Sequence, residues 1–150
     1  FYFKPGHIVT FIIFIIGIIL LYIYAINYTS QASNNLKNML YDGNIASSLI
    51  LSQDYPGIVS ENKINQTKLD DFANSDYATK KRELNLRYDF YFLLENLEIN
   101  GAPADYVGQM NSTAVENNIK ITRFVIYKNK PTRLELFVWR WDENKSFRHI

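Results

Sequence analysis

Between Ile8 and Ile26 the chain reads IVTFIIFIIGIILLYIYAI, with no charged residue and Thr10 as its only conventional polar side chain. No other feature of the sequence restricts the fold as strongly. At about 1.5 Å rise per residue, about 19 helical residues span roughly 28 Å, close to the ~30 Å hydrocarbon thickness of a bilayer. In lipid the backbone must satisfy its own hydrogen bonds, so a single spanning segment has to be a helix even when it is rich in isoleucine. Tyr22 and Tyr24 suit the outer membrane interface, and Phe1, Tyr2 and Phe3 the inner one. Three readings compete with a span that has a further role. A buried core helix would need more surrounding chain than 150 residues supply. Ser30-Gln31-Ala32 resembles a signal-peptide cleavage site, but the apolar run exceeds the usual ~7–15 residues, so the helix is expected to stay uncut. A plain membrane anchor is the third.

Orientation follows from charge and size. Lys4 is the only cation before the run other than His7, and no Lys or Arg follows until Lys37. That bias places the N-terminus in the cytoplasm and the larger polar portion outside. The sequons Asn27-Tyr28-Thr29, Asn65-Gln66-Thr67, Asn111-Ser112-Thr113 and Asn144-Lys145-Ser146 all lie beyond the run, which makes Asn27, Asn65, Asn111 and Asn144 candidate acceptors for N-linked glycans.

Past the membrane the helical pattern continues. Ala32, Leu36, Met39, Leu40, Ala46, Leu49 and Ile50 recur at helical spacing and form one apolar stripe, with Gly43-Asn44 as a possible bend or break. Asp54-Tyr55-Pro56-Gly57 is a stop and turn. Asn65 or Thr67 can cap a short helix through about Phe72, and Ser75 or Asp76 another through Leu84. Asp70-Asp71 and Lys80-Lys81-Arg82 read as solvated faces. From Leu86 the composition turns aromatic and β-branched. Tyr88–Leu97, Ile119–Tyr127 and Arg133–Trp141 read as strands. Asn100-Gly101-Ala102-Pro103 breaks the first, 108–118 is a loop, and Lys128-Asn129-Lys130-Pro131 is a hairpin turn. In the last strand Leu134, Leu136 and Val138 share one face and Arg133, Glu135, Phe137 and Trp139 the other; both faces carry apolar groups, which predicts a central or covered strand. The expected fold class is α+β: a long N-terminal hydrophobic helix over 1–52, then an extracellular head over 53–150 with an antiparallel sheet of at least three strands.

Signals for chemistry are sparse. The chain has no cysteine, so disulfides, thiolate metal sites and a cysteine nucleophile are excluded. His7 and His149 stand at opposite ends, and no residue is assigned as a metal ligand or to a cofactor. No phosphate-binding loop, Gly-x-Ser-x-Gly elbow or dinucleotide fingerprint is present, and no catalytic residue is assigned. The formal net charge of +1, with both signs interspersed, argues against nucleic acid as a primary ligand.

This layout, a long apolar helix running into an amphipathic stretch and then a β-rich head, resembles that of type IV pilins, and most closely that of archaeal pilin-like proteins. Three stretches carry the likeness: ASSLILSQDYPG at Ala46–Gly57, KKRELNLRYDFYF at Lys80–Phe92, and ITRFVIYKNKPTRLELFVW at Ile121–Trp139. Many pilins carry Glu at the fifth mature position. If Phe1 is the mature terminus the corresponding residue is Pro5, and if cleavage follows Gly6 it is Phe11; neither is acidic, which points toward a minor pilin, a pseudopilin or an unusual filament subunit.

The resemblance implies a structural subunit of an extracellular filament, inserted in the membrane before assembly and then self-associating as a helical homopolymer. The residues expected to carry assembly are Ile8, Phe11, Ile12, Phe14, Ile15, Ile18, Ile19, Tyr22 and Ile23, with Gly17 permitting close helix approach. The alternative is a single-pass membrane protein with a small extracellular binding head.

Overall fold

The computed structural model describes residues 4–110 and 115–141. Its elements are one long helix, α1 (Pro5–Ile50), and two short ones, α2 (Gln66–Asn74) and α3 (Tyr77–Glu83), with strands β1 (Val59–Ser60), β2 (Lys63–Ile64), β3 (Asp89–Leu94), β4 (Glu98–Ile99), β5 (Ala102–Pro103), β6 (Val107–Gly108), β7 (Val115–Tyr127) and β8 (Lys130–Trp141). A long N-terminal apolar helix followed by an antiparallel sheet domain is the α+β class that the residue pattern predicts.

α1 opens with Pro5 in its first turn, where a missing N–H costs nothing and the fixed φ is already helical. It runs unbroken through Gly43, so the expected bend is absent. The chain divides into two compact units, residues 1–37 and 38–150. The last part of α1 therefore belongs with the head, whose beginning moves to Asn38 from the expected position near 53.

Within the head, the main sheet is four-stranded with order β6-β3-β8-β7, antiparallel at every pairing. β8 is central, as its two-sided apolar pattern predicts. Its inner face pairs Phe90, Phe92 and Leu94 of β3 with Val138, Leu136 and Leu134. All six are buried. The helix residues that complete this core are Met39, Ala46 and Ile50, each fully buried. Leu36 and Leu40, expected in the same stripe, are 41% and 48% exposed. Leu36 precedes the head segment of α1, and Leu40 sits about 100° around the helix from Met39. Asp42, Gly43 and Ser47 are buried instead. A Cβ on Gly43 would stand 2.6 Å from Ile121 Cδ1 and 3.2 Å from Val138 Cγ2, so the glycine sets how closely helix meets sheet.

Several local signals resolve more tightly than the sequence predicts. Asn65 caps α2, its side chain accepting from the Lys68 N–H at 3.1 Å. The β7–β8 turn is only Lys128-Asn129, with φ of 52° and 63°, the left-handed pair of a two-residue hairpin. Pro131 is thus a strand residue rather than part of the turn. It pairs with Ile126, one place beyond the turn-flanking pair Tyr127–Lys130, where antiparallel geometry turns the backbone nitrogen away from β7. The expected loop over 108–118 contains the end of β6 and the start of β7. Lys80 is not a solvated charge: it is 6% exposed, and its Nζ donates to the carbonyls of Ala73 and Ser75 at the end of α2. Burial lowers its pKa from the ordinary lysine value, while carbonyls at a helix C-terminus favour a cation.

Candidate assembly surface

The residues expected to carry assembly all lie on the first unit's stretch of α1. There the backbone is satisfied internally, and the side chains are exposed. Ile8, Phe11, Ile12, Phe14 and Ile15 are 47%, 63%, 51%, 65% and 40% exposed. Ile18, Ile19, Tyr22 and Ile23 are 51%, 51%, 67% and 49% exposed. A Cβ at Gly17 would meet nothing within 4 Å. The helix is long and apolar enough to cross a membrane, with a mean hydropathy of 2.9 over its most apolar window and none of that window buried.

The named residues cover one broad side of the helix, but they are not distinguished from the other side. Val9, Ile13, Ile16, Leu20 and Tyr24 face the opposite way and are 56%, 64%, 51%, 61% and 71% exposed. The signal for this was in the sequence, in the absence of any polar period across Ile8–Ile26. A helix that is apolar all round needs cover on every side, which one-sided docking cannot supply. Its polar atoms fit such surroundings. Thr10 donates its hydroxyl to the Gly6 carbonyl at 2.9 Å, and Thr29 to the Ala25 carbonyl at 2.9 Å. Both hydroxyls are therefore paired inside the helix and leave no donor to be stranded in an apolar medium.

The candidate glycan acceptors fall in different settings. Asn27 is an exposed residue of α1. Asn65 is the partly buried α2 cap. Asn111 and Asn144 lie outside the described residues.

The head carries two polar clusters. One groove of the head, about 400 Å³, is open and lined by residues that include Glu98, Tyr127, Lys128 and Lys130. Three of its polar side chains are already engaged. Lys128 Nζ stands 2.9 Å from Glu98 Oε1, and the Tyr127 hydroxyl donates to Gln66 Oε1 at 2.8 Å. A second cluster joins Tyr77, Lys81 and Asp89. The Tyr77 hydroxyl donates to Asp89 Oδ1 at 2.8 Å and accepts from the Phe90 N–H at 3.0 Å, and Lys81 Nζ lies 3.2 Å from the same carboxylate. Burial, then the Asp89 bond, pushes the Tyr77 phenol well above its ordinary value. This is a phenol held neutral to lock α3 onto β3. Among the described residues no group of three or more His, Cys, Asp or Glu side chains converges to hold a metal.

The chain matches no protein-family model, no curated protein and no solved structure.

Proposed function

We propose that the chain is a pilin-like structural subunit of an extracellular filament, inserted in the membrane through α1 before assembly. One observation carries this reading: the helix is exposed and apolar on all sides over Ile8–Ile26, with the Thr10 hydroxyl paired inside the helix, and it continues without a break into a folded head. Outside lipid such a surface has to be buried, and a bundle of identical helices would surround each copy on every side. Repeated heterologous contacts that do not close into a ring would then generate a helical polymer, with the heads outermost. The role is structural rather than catalytic, and its partners are further copies of the chain, the membrane beforehand, and N-linked glycans on the head.

The second reading is a single-pass membrane protein with an extracellular binding head. The length and hydropathy of α1 favour it equally, because an all-round apolar helix also suits lipid. Negative-stain imaging of material sheared from cells separates the two. Thin filaments containing the chain and free of lipid are expected. Recovery only in the membrane fraction, soluble only with detergent, would overturn the filament reading in favour of the anchor.

A further inference from the structure

The two-residue turn between β4 and β5 is Asn100-Gly101, the only Asn-Gly step in the sequence. Glycine has no Cβ to shield its backbone nitrogen, so this is the dipeptide in which that nitrogen most easily reaches the preceding side-chain amide. Both residues are exposed, with φ of 56° and 81°. The hairpin ladder runs through Ile99 and Ala102, and Gly101 N makes no backbone hydrogen bond among the described residues. The nucleophile, the electrophilic carbon and water therefore share one surface turn.

What restrains them is a clamp from α2. Asn100 Nδ2 donates to Asn74 Oδ1 at 2.8 Å, and Asn74 Nδ2 donates back to Asn100 Oδ1 at 3.0 Å, a closed pair of amides. The Asn100 backbone N–H donates to Asp70 Oδ1 at 3.0 Å, and that oxygen also accepts from Gln66 Nε2 at 2.8 Å. For Gly101 N to attack, the Asn100 side chain must turn toward its own backbone and break both amide bonds to Asn74.

We infer that Asn100 is a site of spontaneous deamidation, and that the Asn74 amide clamp sets its rate. In the reaction Gly101 N bonds to Asn100 Cγ, the Cγ–Nδ2 bond breaks, and Nδ2 leaves as ammonia, taking up the proton that the glycine nitrogen gives up. Water then opens the resulting five-membered imide at either carbonyl, leaving aspartate or isoaspartate. No oxidant, enzyme or cofactor enters. The product cannot remake the clamp, because a carboxylate has no hydrogen to offer Asn74 Oδ1, and its charge stands beside Asp70. The step is a one-way chemical timer in the head.

The test incubates the full chain in detergent micelles in mildly alkaline buffer and follows residue 100 by peptide mass spectrometry. Native wild type should convert slowest, Asn74→Ala about tenfold faster, as expected from losing two exposed amide hydrogen bonds, and urea-unfolded wild type fastest. Asn74→Ala converting at the wild-type rate, with its fold intact by circular dichroism, overturns the inference. If that variant fails to fold, the native and urea-unfolded wild type decide alone: equal rates overturn the clamp, and slower native conversion sustains it.

Discussion

Asp42 on α1 and Arg87 just before β3 form an ion pair at 3.0 Å, with the Asp42 side chain 9% exposed and that of Arg87 65% exposed. The pair ties the head segment of α1 to the start of the sheet across many residues of sequence, and its two halves are not equivalent. Removing Arg87 strands a buried carboxylate, whereas removing the carboxylate leaves an arginine that water solvates readily. Arg87→Ala should lower the urea midpoint of the head more than Asp42→Asn does. Tryptophan fluorescence of the full chain in micelles reports it, since Trp139 is fully buried. Equal midpoints for the two variants would mean the carboxylate finds another partner.

Gly43→Ala tests the helix–sheet approach. Alanine gains helix propensity of up to about 1 kcal/mol. Against that, its Cβ would lie 3.2 Å from the stiff Val138 side chain and 2.6 Å from Ile121 Cδ1. Overpacking of this kind costs about 1–3 kcal/mol, so a net loss of about 1 kcal/mol is expected. Shortening the partner with Ile121→Val should recover part of it. A stabilised Gly43→Ala head in urea titrations would contradict the close approach.

Alkaline pH should weaken the head through Tyr77. Its phenol titrates higher when folded than its ordinary value of 10.0, so the folded state keeps a proton that the unfolded state releases. That contribution is fully present below pH 10.0 and declines as pH rises above it. Tyr77→Phe should flatten the fall in urea midpoint above this pH, while losing at neutral pH the bonds to Asp89 and Phe90. Wild type and variant falling in parallel through the alkaline range would remove Tyr77 from the account.

Assembly should fail on one charge in α1. Ile15→Asp places a carboxylate where no cation is near in sequence, at a cost of about 2.5–3.5 kcal/mol mid-bilayer. Within a filament core the same charge would face apolar neighbours in every subunit. Among the described residues the head core begins at Met39, so its near-ultraviolet circular dichroism should be unchanged. Asn35→Asp is the control that should be tolerated. Normal filaments from Ile15→Asp cells would sink the assembly role of α1.

The fold class and its apolar helix were legible in the chain because both rest on local rules. A charge-free run has few soluble solutions, Asn65 caps whatever helix follows it, and the alternation over Arg133–Trp141 demands cover on both faces of a strand. What only the tertiary structure decided is which of several equivalent residues meet. Asp42 and Ser47 look like solvent-facing helix residues until the sheet lies against them, and Lys80 looks like part of a charged surface until it reaches the carbonyls ending α2. Gly43 reads as a break because glycine weakens an isolated helix, yet it stays helical because a close-packed sheet offsets that loss and leaves no room for a side chain. These outcomes depend on partners distant in sequence. The apolar character of Ile8–Ile26, by contrast, is a property of the residues themselves.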